Sequence, residues 1–464
     1  MRLNGVCERP IFLPMKKVFA LLTLFGTLAA FAESPNIVLP NQRQIEWAEC
    51  EIGLILHLDL QCFKPDYKWR NFGSHPPASI FNPAELDTEQ WMRAAKAIGA
   101  KYIVFVAKHC SGFSLWPTKA HEYSVKNAAW KGGKGDIVRE FVDSCRRNSI
   151  KPGIYASTSA NGLFHVDRGI VAKGAPVSQS EYGKMVSMQL EELWSNYGEL
   201  FEVWFDGGVL SKANGGERIL PLLKKLQPNA IAFQGPYMFE NLIRWVGNED
   251  GTAPYPCWAT ANETTDSDGT VAVKGLHGDP NAKFWCPGEA DFPLRWNRAF
   301  QGGWFWKAGE DDKLFTVEQL MKKYETSVGR NTNMLVGVVI DSRGLVPDAD
   351  MKRLEEWGAQ IRKMYGSPIA SKSESGGSSF TITFDSPKTV DRAIIQEDIK
   401  FGERVLEYAL EGLESGKWIP LSKGTCVGHK RIDKFEPKKI SALRFTATKT
   451  KAEPKIKTLL AFEK

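Results

Sequence analysis

Asp206 is the residue whose setting points most directly to chemistry. It closes an apolar run, Val203-Trp204-Phe205, and is followed by Gly207 and Gly208. A carboxylate at the end of a buried strand, with glycine relieving the turn, is held rigidly at a rim where it can act as a nucleophile. The same placement also suits an ordinary turn aspartate. Glu289 follows Pro287-Gly288 and is flanked by Trp285 and Trp296. Aromatic surroundings raise the pKa of a glutamate, as a general acid requires; by itself it also fits a solvated loop carboxylate. Together Asp206 and Glu289 make a candidate carboxylate pair for glycoside hydrolysis, whose retaining form uses a nucleophile and an acid/base about 5–5.5 Å apart. Glu263 and Asp291 are rivals for the second role. His57, His109 and Tyr155 are placed to exchange hydrogen bonds with sugar hydroxyls, or else to be satisfied core residues.

These residues need a scaffold that brings strand ends together. Continuous apolar runs predict strands over 52–58, 102–107, 152–156, 201–205, 230–233, 243–246, 282–286 and 334–339. Helical spacing predicts helices over 87–98, 135–147, 179–197, 217–226 and 348–365, the first capped by Asp87. Runs buried on both faces belong to parallel sheets. Their alternation with helices predicts a TIM-like (β/α)8 barrel, whose site lies at the C-terminal strand ends. Those ends are His57 and Asp59, Lys108-His109, Tyr155 and Trp204 to Gly208, with Trp285, Glu289, Asp291 and Arg295 around the seventh strand. The polar stretch from Gly247 to Asp279 is expected to be an active-site loop or lid. After a glycine-rich break at 372–378 the pattern turns to short alternating strands, which predicts a small β-sandwich. The expected boundaries are a signal segment over 1–32, a barrel over 33–368 and a β domain over 369–464.

Lys16-Lys17, the apolar run from Val18 to Leu28 and Ala30-Phe31-Ala32 have the form of a cleavable signal peptide, with Met15 as the natural start. Export to a periplasmic or extracellular compartment is expected, with cleavage after Ala32 and no membrane-spanning segment. The chain has 464 residues and a formal charge of +6, and no Lys/Arg run stands out, so no nucleic-acid partner is expected. Its 15 Trp and 26 Phe suit either a large core or a concave site whose flat walls stack on sugar rings. The cysteines form no disulfide framework, and no Cys/His spacing resembles a zinc site. No metal or organic cofactor is implied.

An ordered set of motifs then resembles the alpha-L-fucosidases of glycoside hydrolase family 29. The set comprises Gly53-Leu54-Ile55-Leu56-His57, Ala107-Lys108-His109-x-x-Gly112-Phe113, Lys151-Pro152-Gly153-Ile154-Tyr155, Val203-Trp204-Phe205-Asp206-Gly207 and Pro287-Gly288-Glu289-Ala290-Asp291. Gly303-Trp304-Phe305, Ser327-Val328-Gly329-Arg330-Asn331 and Gln396-Glu397-Asp398-Ile399 continue it. The resemblance implies a barrel followed by a β-sandwich and retaining hydrolysis of terminal alpha-L-fucosides on glycans. It points to the branch that prefers alpha-1,3/1,4 linkages. It implies Asp206 as nucleophile, Glu289 as acid/base, and His57, His109 and Tyr155 as sugar ligands. Arg295 and Trp304 resemble sugar-pocket positions, and Trp204 and Trp285 are expected beside them. The family's usual His-His-Asp-Gly-Phe reads here as His109-Cys110-Ser111-Gly112-Phe113. That departure motivates two alternatives: a related sugar such as an alpha-L-galactoside, or a noncatalytic glycan-binding protein.

Overall fold

The computed structural model describes residues 37–463 apart from 248, 268 and 296–301. The expected signal segment over 1–32 lies outside the described residues. Eight strands form a closed, wholly parallel barrel: β1 (Ile52–His57), β2 (Tyr102–Lys108), β3 (Lys151–Ala156), β4 (Glu202–Trp204), β5 (Ile231–Phe233), β6 (Leu242–Val246), β7 (Gly288–Pro293) and β8 (Thr332–Val339). Each strand lies beside its sequence neighbour, and β8 pairs back onto β1.

A helix, α1 (Gln42–Ala48), precedes the barrel. Crossovers are made by α2 (Thr88–Ile98), α3 (Ile137–Arg147), α4 (Gln179–Ser195), α5 (Ile219–Leu226) and α6 (Val317–Thr326), and α7 (Asp348–Tyr365) follows β8. Local sequence explains the helix limits. Asp87 caps α2 by accepting from the N–H groups of Glu89 and Gln90, and Gly99 ends it in the left-handed region at φ 78°. Ser178 and Glu181 form a capping box on α4. Two crossovers depart from the regular β/α repeat. Only residues 234–241 join β5 to β6. Between β6 and β7 lies an antiparallel patch of Thr260–Thr265, Val271–Lys274 and Phe284–Trp285.

The expected strand over 282–286 is thus a short extra-barrel pairing, and the seventh barrel strand is Gly288–Pro293. Its residues are all buried. It carries Glu289 and Asp291 on alternate positions, so it does not read as an apolar run.

Period-two alternation sorts the barrel side chains. On β1, Leu54 and Leu56 face the helices, while Ile55 joins the inner cluster and His57 lines the mouth. On β4 and the residues after it, Glu202, Trp204 and Asp206 make one inward column from floor to rim. A register shift between Val106 and Lys108 adds one residue to β2 relative to β3. One added residue reverses side-chain parity, so His109 rather than Lys108 lines the mouth. The N-terminal end is closed by α1, where Gln44 donates to the carbonyls of Leu242 and Trp285, and the Trp47 indole donates to Glu202 at 3.3 Å.

Residues from Ala370 onward form a six-stranded antiparallel sheet with its own core, which includes Phe380, Ile395, Tyr408 and Phe445. Two strands, Ser379–Glu397 and Arg431–Thr450, bend at register shifts. The opposite face, through Ile394, Ile432 and Phe462, joins the barrel's outer core. The polar stretch over 372–378 is largely part of the edge strand Ala370–Gly376, which pairs with Lys455–Glu463. Backbone hydrogen bonds hold such an edge without apolar side chains.

Gly53 is required where β1 passes Tyr102: a Cβ there would stand 2.3 to 2.7 Å from three carbons of the phenol ring. Gly53→Ala is expected to destabilise the protein by about 1–3 kcal/mol through overpacking. A urea denaturation midpoint unchanged from the parent chain would refute this.

Candidate active site

The barrel mouth holds a cavity of about 360 Å³ lined by Ile55, His57, Trp69, Arg70, His109, Cys110, Tyr155, Trp204, Asp206, Glu249, Asp291, Gly302 and Trp304. That volume lies at the lower end of the range for small-ligand sites. An adjoining cleft of about 280 Å³ shares Trp69, Arg70, Cys110 and Asp206 and continues to Ser159, Arg168 and Asp266. Asp206 therefore stands between a pocket and a cleft.

Each wall follows from a strand end. Asp206 follows β4, and its carboxylate accepts from the Tyr155 hydroxyl at 3.0 Å. Tyr155 comes from β3; it packs on Trp204 at 5.2 Å and stacks on His109 at 5.7 Å. Trp204 in turn lies flat on Phe233 of β5 at 4.0 Å. His57 contacts His109, Trp304 and Phe305, with ring centroids 5.8, 5.0 and 5.3 Å away. Trp304 enters the mouth because Gly337 of β8 has no side chain: a Cβ there would stand 2.3 Å from the indole. Burial drives the pKa of His57 well below its ordinary value and that of His109 down to about 4, so both imidazoles are neutral. A neutral imidazole offers one donor and one acceptor, which suits hydroxyl recognition.

Among the described residues, two carboxyl groups besides Asp206 face the cavity. Glu249 lies just beyond β6, in the left-handed region at φ 58°, and accepts from the Trp304 indole at 3.2 Å. Asp291 sits deeper on β7 and accepts from the Trp245 indole at 2.6 Å. Burial pushes the Asp291 pKa well above the carboxylate range. The same strand-end rule that picks out Asp206 applies to Glu249, since β6 ends at Val246. Trp69 and Arg70 come from the long β1–α2 segment, which carries no motif; Arg70 packs over the Trp69 ring at 4.1 Å. Ser111 takes the place of the family's usual carboxylate, and its hydroxyl donates to Asp59 at 2.8 Å. Asp59 comes from the loop after β1, burial raises its pKa to about 7, and neither it nor Ser111 lines the cavity.

A model of the alpha-L-fucosidase family matches residues 37–366. The chain belongs to this family, glycoside hydrolase family 29. It is 30% identical to alpha-L-fucosidase 1 of Arabidopsis thaliana over 92% of this chain and 87% of the plant protein. Among solved structures it resembles a candidate alpha-L-fucosidase of Bacteroides thetaiotaomicron, with a TM-score of 0.84, 35% identity and coverage of 92% of this chain and 100% of that one. A glycoside hydrolase 29 family member from an unknown rumen bacterium matches with a TM-score of 0.78 and 31% identity, over 92% of this chain and 78% of its own.

Within this family-29 barrel, several residues singled out from the sequence do not line the cavity. Glu289 is the second residue of β7 and lies in the barrel floor with no exposure. It accepts from the Tyr102 hydroxyl at 2.6 Å and the Trp204 indole at 3.0 Å. The Glu202 carboxyl group stands against it. Burial raises the pKa of both glutamates, so the pair holds a proton between them. Trp285 lies outside the barrel wall, in the extra-barrel patch beside α1 and away from the mouth. Arg295 follows β7 but points outward: it is 1% exposed and pairs with Asp350 of α7 at 2.5 Å and with Asp311 at 2.9 Å. Glu263, the other rival, bonds to Tyr237 in the exposed hairpin.

These placements predict structural phenotypes in the fucosidase-family barrel. Arg295→Ala leaves the buried Asp350 carboxylate without its cation and is expected to cost about 3–5 kcal/mol. Glu289→Ala strands two buried donors, at about 1–3 kcal/mol each. Chemical denaturation measures both, and a loss under about 1 kcal/mol for either would remove its structural role.

Proposed function

We propose that the protein is an exported, retaining exo-glycosidase that removes terminal alpha-L-fucose from glycans, with preference for alpha-1,3/1,4 linkages. The observation that carries the chemistry is the placement of the Asp206 and Glu249 carboxyl groups on one cavity, beside two neutral histidines. In this reading residues 33–368 are the catalytic domain and 369–464 a β-sandwich cap. Among the described residues, none from 370 onward lines the cavity. Export is supported by the Lys16-Lys17 segment and the apolar run that follows. Among the described residues no helix is long and apolar enough to cross a membrane.

Asp206 attacks the anomeric carbon while the Tyr155 hydroxyl holds one of its oxygens. The glycosyl–enzyme ester forms as the leaving oxygen departs into the adjoining cleft, which has room for the rest of the glycan. Glu249 protonates that oxygen and then takes a proton from the water that cleaves the ester. Glu249 is preferred to Glu289 because Glu289 is locked below the cavity by the Tyr102 hydroxyl and the Trp204 indole. It is preferred to Asp291 because it stands at the rim, half-exposed, where a leaving group and then water can reach it. His57 and His109 bind the sugar hydroxyls, and Trp204 and Trp304 give it apolar faces.

A second reading keeps this mechanism and changes the sugar to an alpha-L-galactoside. It is favoured by Cys110, whose small thiol lines the cavity where the family usually has an imidazole. Hydrolysis of matched aryl glycosides of the two sugars separates the readings.

Asp206→Ala is expected to abolish hydrolysis of aryl alpha-L-fucosides, with azide restoring turnover; full activity would sink the assignment. Proton NMR of early product should show the alpha anomer, and initial release of the beta anomer would exclude retention. Glu249→Ala should slow oligosaccharide cleavage by about 10²–10⁴-fold while sparing substrates with good aryl leaving groups. An equal loss on both would return the role to Asp291. Products from a panel of Lewis-type and blood-group oligosaccharides then read the linkage.

A further inference from the structure

We propose that His109, Cys110 and Asp206 form a binding site for a soft divalent metal ion, of which Zn²⁺ is the leading case, and that the ion closes the cavity to sugar. One ligand atom from each of the three residues lies within 4.8 Å of the other two. Zinc takes thiolate sulfur at about 2.3 Å and imidazole nitrogen or carboxylate oxygen at about 2.0–2.2 Å, in tetrahedral geometry. Donors so arranged stand about 3.5 Å apart, so closure asks for a contraction of about one ångström. Asp206, partly exposed at the rim, supplies it by shifting its carboxylate off the Tyr155 hydroxyl that holds it at 3.0 Å.

The other donors are held in place. His109 is stacked on Tyr155 at 5.7 Å and meets Phe305 edge-on at 4.9 Å. Its Nδ1 is buried with no hydrogen-bond partner, as is the Nδ1 of neighbouring His57. Cys110 is 6% exposed, and its position lines both the cavity and the adjoining cleft. Nitrogen, sulfur and oxygen donors at the edge of an open cavity leave a fourth position for water. Each donor type is one that zinc takes, and three protein ligands with an open fourth position is the pattern of its open sites.

Binding breaks the Cys110 S–H bond, forms a metal–sulfur bond and releases the proton to solvent, with no electron transfer. Asp206 cannot ligate the ion and attack a sugar at once, so the ion and the substrate exclude each other. The binding itself does not depend on the fucosidase reading; the closure rests on it.

The test titrates Zn²⁺ into the full chain against a chromogenic chelator and records X-ray absorption at the zinc edge. The expected result is one ion with one sulfur at about 2.3 Å, and binding weakened about tenfold or more in Cys110→Ser. Zinc should also inhibit aryl alpha-L-fucoside hydrolysis competitively, at the concentration at which it binds. A shell of nitrogen and oxygen alone, or affinity in Cys110→Ser within about twofold of the parent, overturns the site. Sulfur-ligated zinc that does not compete with substrate overturns the closure. Should Cys110→Ser fail to fold, the absorption spectrum of the parent chain decides alone. Sulfur-ligated zinc in a chain that hydrolyses no fucoside would leave the metal site standing and remove the fucosidase reading instead.

Discussion

The hydrogen bond from the Trp204 indole to Glu289 ties the floor of the barrel to its rim. Trp204 sits at the middle of the inward column on β4, with the Glu202–Glu289 pair beneath it and Asp206 above. Anchored from below, its ring packs on Phe233 on one side and on Tyr155 on the other. Tyr155 then holds the Asp206 carboxylate. A carboxylate that must reach one carbon atom needs this kind of support, because a small misplacement costs reactivity steeply. The buried glutamate pair keeps a shared proton and takes indole and phenol donors, so no cation is needed to hold it in the apolar floor.

Missing side chains and one extra residue make the geometry possible. Gly53 leaves space for Tyr102, which reaches Glu289, and Gly337 leaves space for Trp304, which reaches Glu249. The added residue in β2 turns His109 inward and sends Lys108 to the barrel's outer layer. There the ammonium is buried without a hydrogen-bond partner, and its pKa falls to about 8. Without the bulge, the mouth would carry a cation in place of a neutral imidazole.

Much of the site was legible along the chain. His57, Tyr155 and Asp206 end apolar runs, and a parallel barrel gathers such ends at one mouth. The helices were equally legible, since Asp87 and Ser178 cap them and Trp91, Ala94, Ala95 and Ile98 form one buried face. What could not be read along the chain has several causes. The strand Gly288–Pro293 carries two inward carboxyl groups, so it lacks an apolar signature. Its register, and with it the depth of Glu289, could not be read. Arg295 and Trp285 were near the site in sequence, but one faces α7 and the other the extra-barrel patch. Glu249 lies past a short strand, in a stretch that gives no motif. The polar segment over 372–378 is largely strand because its neighbour supplies backbone partners.

Local pattern and composition determined what depends on nearest neighbours: which segments are strands or helices, that the strands are buried on both faces, and that carboxylates and histidines stand at their ends. Depth and direction were decided only in three dimensions, because barrel closure sets each strand's register against two neighbours distant in sequence. Closure put Glu289 in the floor and Glu249 at the rim. It also brought Asp206 of one strand end to His109 and Cys110 of another, a donor set that no spacing along the chain could show.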